Sequence, residues 1–111
     1  MAVYTAIDDP EAYFQTKLYT GNGGSQSITL DGDTDMQPDL LWIKERDDAH
    51  TGSIIDSIRG VRKTLSPSET ATEITESSGL SAFDSDGFSF DGAGGNHVNA
   101  SSQPTVAWCW K

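Results

Sequence analysis

The chain has 111 residues and a formal net charge of -10, a length that holds one domain with one modest core. So acidic a chain is repelled by phosphate backbones and anionic lipid headgroups, and its densest basic stretch is only Arg59, Arg62 and Lys63; nucleic-acid binding and membrane association are therefore not expected. Large apolar side chains (Tyr13, Phe14, Trp42, Phe83, Phe88, Phe90, Trp108 and Trp110) argue against disorder.

The N-terminal stretch through Phe14 has no basic segment followed by a long apolar run, so no signal peptide is expected, and no window has the length of a membrane span. Residues 1–12 are read as a lead-in, in which Asp9 suits an N-cap and Pro10 the first helical position. Phe14 to Thr20 is β-prone. Gly21-Asn22-Gly23-Gly24 follows with the positive-φ residues a hairpin needs, and Ser27 to Leu30 is predicted as the returning strand. Asp31 to Asp35 is a turn. Leu40-Leu41-Trp42-Ile43-Lys44 is nearly continuous in apolar character, which predicts a central strand covered on both faces. A charged loop separates it from a strand over Ser53–Ile58, closed by Arg59-Gly60. Residues 61–79 carry weak signals, with a short strand or helical turn around Ala71–Thr75. Leu80–Phe83 and Gly87–Phe90 flank a tight turn, Gly92–Ser102 is a glycine- and asparagine-rich loop, and Thr105–Trp110 is a closing strand. In that last strand Val106, Trp108 and Trp110 share one face, Ala107 and Cys109 the other.

About seven short strands with turn signals between them and at most one short helix predict an all-β fold, a small antiparallel, jelly-roll-like β-sandwich over residues 13–111. The expected core is Leu41, Trp42, Ile43, Ile54, Ile58, Phe83, Phe88, Val106 and Trp108. Tyr4, Tyr13 and Tyr19 are read as able to lie at an interface, and Val3, Tyr4, Ile7 and Tyr13 as the assembly contacts.

Chemistry is harder to find. Asp31-x-Asp33-x-Asp35 resembles the start of a calcium-binding helix–loop–helix loop, but Met36 stands where that loop needs glycine and Trp42 where it needs glutamate, so a solvated acidic turn is the better reading. His50 and His97 both fall in predicted loops, and no serine sits in a Gly-x-Ser-x-Gly elbow. The lone Cys109 offers neither a disulfide nor a thiolate zinc site. No enzyme activity, cofactor or metal is expected.

Six segments, in order, resemble a family of phage virion proteins, mostly tail-fibre-like or uncharacterised, common in marine phages: Ala6–Pro10 with Tyr13-Phe14-Gln15, Leu18–Gly23, Gln37–Lys44, Asp56–Lys63, Leu80–Phe88 and Val106–Lys111. The resemblance implies a virion protein, made in the host cytoplasm, acting in a tail fibre or as capsid decoration through contacts with other virion proteins. It also implies a homo-oligomer, with a trimer favoured. Many relatives of that kind continue past the Trp-Cys-Trp-Lys segment, so the resemblance implies either a compact decoration protein or the virion-proximal domain of something longer. A carbohydrate-binding module for host-surface glycan is the alternative. Tryptophans buried in the core would favour the first reading; two or more exposed aromatics beside polar loops would favour the second.

Overall fold

The computed structural model describes residues 8–111. These form nine short strands, paired antiparallel throughout, in sheets of four, three and two strands. The only helix among the described residues is a 3-10 turn over Pro10–Ala12. Its start is as the sequence suggests: the Asp9 side chain accepts from the Glu11 N–H, and Pro10 occupies the first turn, where its missing donor costs nothing.

Strands β1 (Phe14–Thr20), β9 (Pro104–Trp110), β3 (Leu40–Glu45) and β4 (Ser53–Asp56) lie side by side in that order. Strands β2 (Ser25–Thr29), β8 (Gly87–Asp91) and β7 (Leu80–Asp84) form the second sheet, and β5 (Lys63–Thr64) with β6 (Ile74–Thr75) a two-stranded clip. The two larger sheets share one core. Tyr19, Leu41, Ile43, Ile55, Ala107 and Cys109 from the first meet Ile28, Leu80, Phe88 and Phe90 from the second, with Leu30, Met36 and Val98 from the connections. Phe88 is wholly buried, with the Phe90 and Tyr19 rings both edge-on to it at centroid distances of 5.5 and 5.9 Å and tilted against each other at 5.7 Å. Burying each such ring contributes about 1.5–3 kcal/mol.

Four expectations need correction. The first is the proposed hairpin between β1 and β2, which does not exist, because β2 pairs with β8 instead. The backbone of the Gly21–Gly24 segment is satisfied by the loop before β9: Gly21 N–H donates to Gln103 O and Gly23 N–H to Asn99 O. A Cβ at Gly21 would lie 2.1 Å from the Ala100 carbonyl oxygen, so the glycine serves a close crossing between sheets.

The second concerns β3, which is not covered on both faces. Leu41, Ile43 and Glu45 point inward and are buried, while Trp42 on the opposite face is 39% exposed. The third concerns β4, which stops at Asp56 rather than running to Ile58. Asp56 accepts from the Arg59 N–H at 2.7 Å and pairs with its guanidinium at 2.6 Å, turning the chain, and Ile58 is left 94% exposed. Finally, Tyr19 does not lie at an interface. It is buried, its hydroxyl donates to Val98 O, and burial raises its pKa well above the ordinary phenol value.

The β7–β8 hairpin is where the sequence puts it. Gly87 opens β8 at φ 145°, and a Cβ there would sit 1.9 Å from the Ile28 carbonyl oxygen. No side chain fits between β8 and β2 at this position.

Candidate functional site

Strand periodicity puts alternate residues of β1, β9, β3 and β4 on the outer face of the four-stranded sheet, and the register aligns them in rows. Phe14, Trp110, Leu40 and Asp56 make the first row; Thr16, Trp108, Trp42 and Ile54 the second; Leu18, Val106 and Lys44 the third. No strand of the second sheet covers these positions, since that sheet packs on the other side. Phe14 is 39% exposed and Leu18 55%, Trp108, Trp110, Leu40 and Ile54 are half-buried, and Leu65, bridged to Ile54, is 39% exposed. The result is one contiguous apolar face, aromatic along its centre.

The rings pack against each other across strands. Trp42 and Trp108 have centroids 5.3 Å apart with planes inclined by 55°, and Phe14 and Trp110 lie at 5.1 Å and 51°. Such tilted pairs contribute about 0.5–1.5 kcal/mol beyond their buried area. They leave a depression of about 240 Å³ bounded by Trp42, Trp108, Lys44, Thr51, Pro67 and Ser68. Its polar groups are largely engaged. Lys44 Nζ donates to the carbonyls of Glu45 and Asp48, both at 2.7 Å, and the Thr51 hydroxyl donates to Gly52 O.

The expected core residues therefore divide. Leu41, Ile43 and Phe88 are in the core, and Phe83 packs against it. Trp42, Trp108 and Ile54 belong to the outer face; Val106 is buried there, between Leu18 and Lys44. The reason is space. The opposing sheet brings Phe88 and Phe90 into the core, so the inward positions of β9 facing them are small: Thr105, Ala107 and Cys109.

Of the expected assembly contacts, Val3, Tyr4 and Ile7 lie outside the described residues, while Tyr13 is 49% exposed beside Phe14. Asp31, Asp33 and Asp35 occupy an exposed turn; Lys17 Nζ is 3.0 Å from Asp31 and holds its carboxyl below the usual range. The Asp33 and Thr34 backbone groups are tied back to Glu11 and Gln15.

The sequence reading missed Phe14, Leu18, Leu40 and Trp110 as members of this face. Their alternation was legible, but nothing in one strand says which side another sheet will cover. It also missed a cluster at the end of the fold. His50 and His97 do lie in loops, after β3 and after β8, but the fold stacks their rings with centroids 3.7 Å apart. Both Nδ1 atoms face Glu45, whose side chain is fully buried. Together these are the residues best placed among those described to hold a metal ion.

No helix among the described residues is long and apolar enough to cross a membrane. No curated protein and no solved structure matches the chain. A family match spans nearly its whole length, residues 9–111, and the chain accordingly belongs to the family described as Domain of unknown function (DUF7483).

Proposed function

We propose that this chain is a non-enzymatic structural module of a bacteriophage particle, a two-layered β-sandwich working by protein–protein contact through the outer face of its four-stranded sheet. The observation that carries the reading is the two adjacent rows on that face, Phe14 with Trp110 and Trp108 with Trp42 and Ile54. A contiguous apolar face with aromatic anchors has the composition of a buried interface centre and is costly to leave against water. The segment resemblance to virion proteins supports the location, and a net charge of -10 suits a surface kept soluble at high copy number. Other virion proteins and further copies of the chain, a trimer foremost, are the partners of this reading. Tyr13, with Val3, Tyr4 and Ile7 of the segment outside the described residues, supplies further assembly contacts in this reading.

The test is assembly of the Trp42→Ser, Trp108→Ser double variant. Sedimentation should show its self-association lost and particle preparations should lack it, with the β-sheet circular dichroism retained. A folded variant that still oligomerises and is still incorporated refutes the reading. Deleting residues 1–9 should also prevent incorporation.

Exposure of Trp42 beside Trp108 favours a second reading, host-surface glycan binding. Against it, the two rings are inclined rather than coplanar, and Lys44 and Thr51 at the depression's edge already hydrogen-bond to backbone carbonyls. Sugar recognition needs both a flat stacking surface and polar groups able to reach hydroxyls. Saturable quenching of tryptophan fluorescence by an oligosaccharide, lost in Trp42→Ser, would overturn this ranking.

A further inference from the structure

Glu45 is the last residue of β3 and points to the inner side of the sheet, opposite Thr105. Its side chain has no exposure, yet its two oxygens are treated unequally. Oε2 lies 2.5 Å from His50 Nδ1, while Oε1 is buried with no hydrogen-bond partner. His97 Nδ1 is 3.8 Å from Oε1, too far for a hydrogen bond. Buried carboxylate oxygens are ordinarily satisfied, so an orphan aimed at two imidazoles asks for an occupant.

A second observation comes from the backbone. His97 has φ 59°, in the left-handed region, which is uncommon outside glycine and which Asn, Asp and His enter more readily than other side chains. That backbone conformation accompanies the stacking of the imidazole on His50, beside the buried orphan oxygen of Glu45.

We propose that Glu45, His50 and His97 bind a divalent transition-metal ion of the zinc class, tying the β3–β4 loop to the β8–β9 loop. The donor atoms all lie within 4.8 Å of one another. Donors about 2.0–2.2 Å from a tetrahedral zinc ion lie about 3.3–3.6 Å apart, so loading needs only shifts of about 1 Å. Those shifts fall on the two loop imidazoles, because Glu45 is fixed in the sheet. Two imidazole nitrogens and one carboxylate oxygen suit zinc, nickel, cobalt or copper, whereas calcium and magnesium need more, and harder, oxygen donors. The His50 and His97 side chains are 38% and 44% exposed, which gives an ion a way in. Asp48, whose Oδ1 is 3.6 Å from His50 Nδ1, or a water completes the coordination. The role is structural: the ion replaces the missing partner of Oε1 and fixes two loops at one end of the domain. It is independent of the assembly reading and stands or falls separately.

The test uses the untagged full chain, stripped with chelator and titrated with zinc chloride by calorimetry. Cobalt chloride is followed in parallel by visible absorption. One ion per chain is expected, with a melting temperature that rises with zinc and not with magnesium or calcium. Loss of groups that merely orient metal ligands costs about 10–100-fold in affinity, so His50→Ala and His97→Asn should each weaken zinc binding at least tenfold. His97→Asn keeps a residue that tolerates the left-handed backbone, so its metal-free melting temperature should stay at or above that of the wild type. In the wild type, zinc should also protect both histidines from acylation, read by mass spectrometry without any substitution. Absence of saturable one-to-one binding, less than tenfold weakening in either variant, or unprotected histidines overturns the proposal.

Discussion

Trp42 and Trp108 stand directly opposite each other across the β3–β9 ladder, on the side of the sheet away from the core. Their neighbours in sequence, Leu41 and Cys109, are also directly paired and are wholly buried. Adjacent residues of one ladder therefore do different work, the larger pair outward and the smaller inward. Stability should follow burial rather than size. Leu41→Ala leaves a cavity in the core and should cost about 2–5 kcal/mol. Trp42→Ala, which removes a partly exposed ring and its tilted contact, should cost less, about 1–2 kcal/mol. Urea unfolding of the two variants checks the order, and a larger loss for Trp42→Ala would mean that this face is part of the monomer's own core.

That inversion shows what could be read from the sequence. The alternation in Val106-Ala107-Trp108-Cys109-Trp110 separates the two faces of β9 correctly. Which face turns inward is decided elsewhere, by the volume Phe88, Phe90 and Tyr19 already take up between the sheets. Local pattern carries the period but not the partner. The positions of the longer strands, the Asp9 cap and the β7–β8 turn were legible because they rest on local chemistry, whereas β5 and the end of β4 were not. The Glu45–His50–His97 cluster was not, because its members come from a strand end and two distant loops and meet only once the sheet has formed.

Cys109 lies wholly inside, where burial pushes its thiol up to about 12, and its sulfur reaches only Ala107 O at 3.8 Å. The thiolate is the reactive form, so a neutral, enclosed thiol should resist alkylation. Iodoacetamide at pH 8 is expected to leave the native chain unmodified and to label it completely in 6 M guanidinium. Rapid labelling of the native chain would show that β9 opens readily.

Asn99 shows how a polar loop residue can be structural. It is wholly buried, donating to Asn22 Oδ1, Gly24 O and Gly92 O and accepting from Asn22 N and Gln26 Nε2. These bonds tie the crossing after β1 to the loop before β9. Asn99→Ala would strip partners from several groups at once, and unsatisfied buried groups cost about 1–3 kcal/mol each. A loss of about 2–4 kcal/mol in urea unfolding is expected, with Asn99→Asp at least as harmful because a carboxylate would face the two carbonyls. A loss below 1 kcal/mol for Asn99→Ala would show the crossing to be held by its backbone bonds alone.

Acid should loosen the clip formed by β5 and β6. Arg62 pairs with Asp91 at the end of β8, and Asp91 also accepts from the Gly79 N–H at 3.1 Å. Hydrogen bonds from the Arg62 guanidinium hold the Asp91 carboxyl below its ordinary value of 3.8. A carboxyl depressed in this way stabilises the fold at pH values above the unfolded pKa and loses that contribution as pH falls through the folded one. Asp91→Asn keeps an acceptor for Gly79 while removing the charge, so it should melt lower than the wild type at pH 7. The two melting temperatures should then converge as pH falls below 3.8 and the folded-state Asp91 carboxylate takes up its proton. A gap that does not narrow at all as the pH is lowered through the acid range would assign the effect to geometry rather than to charge.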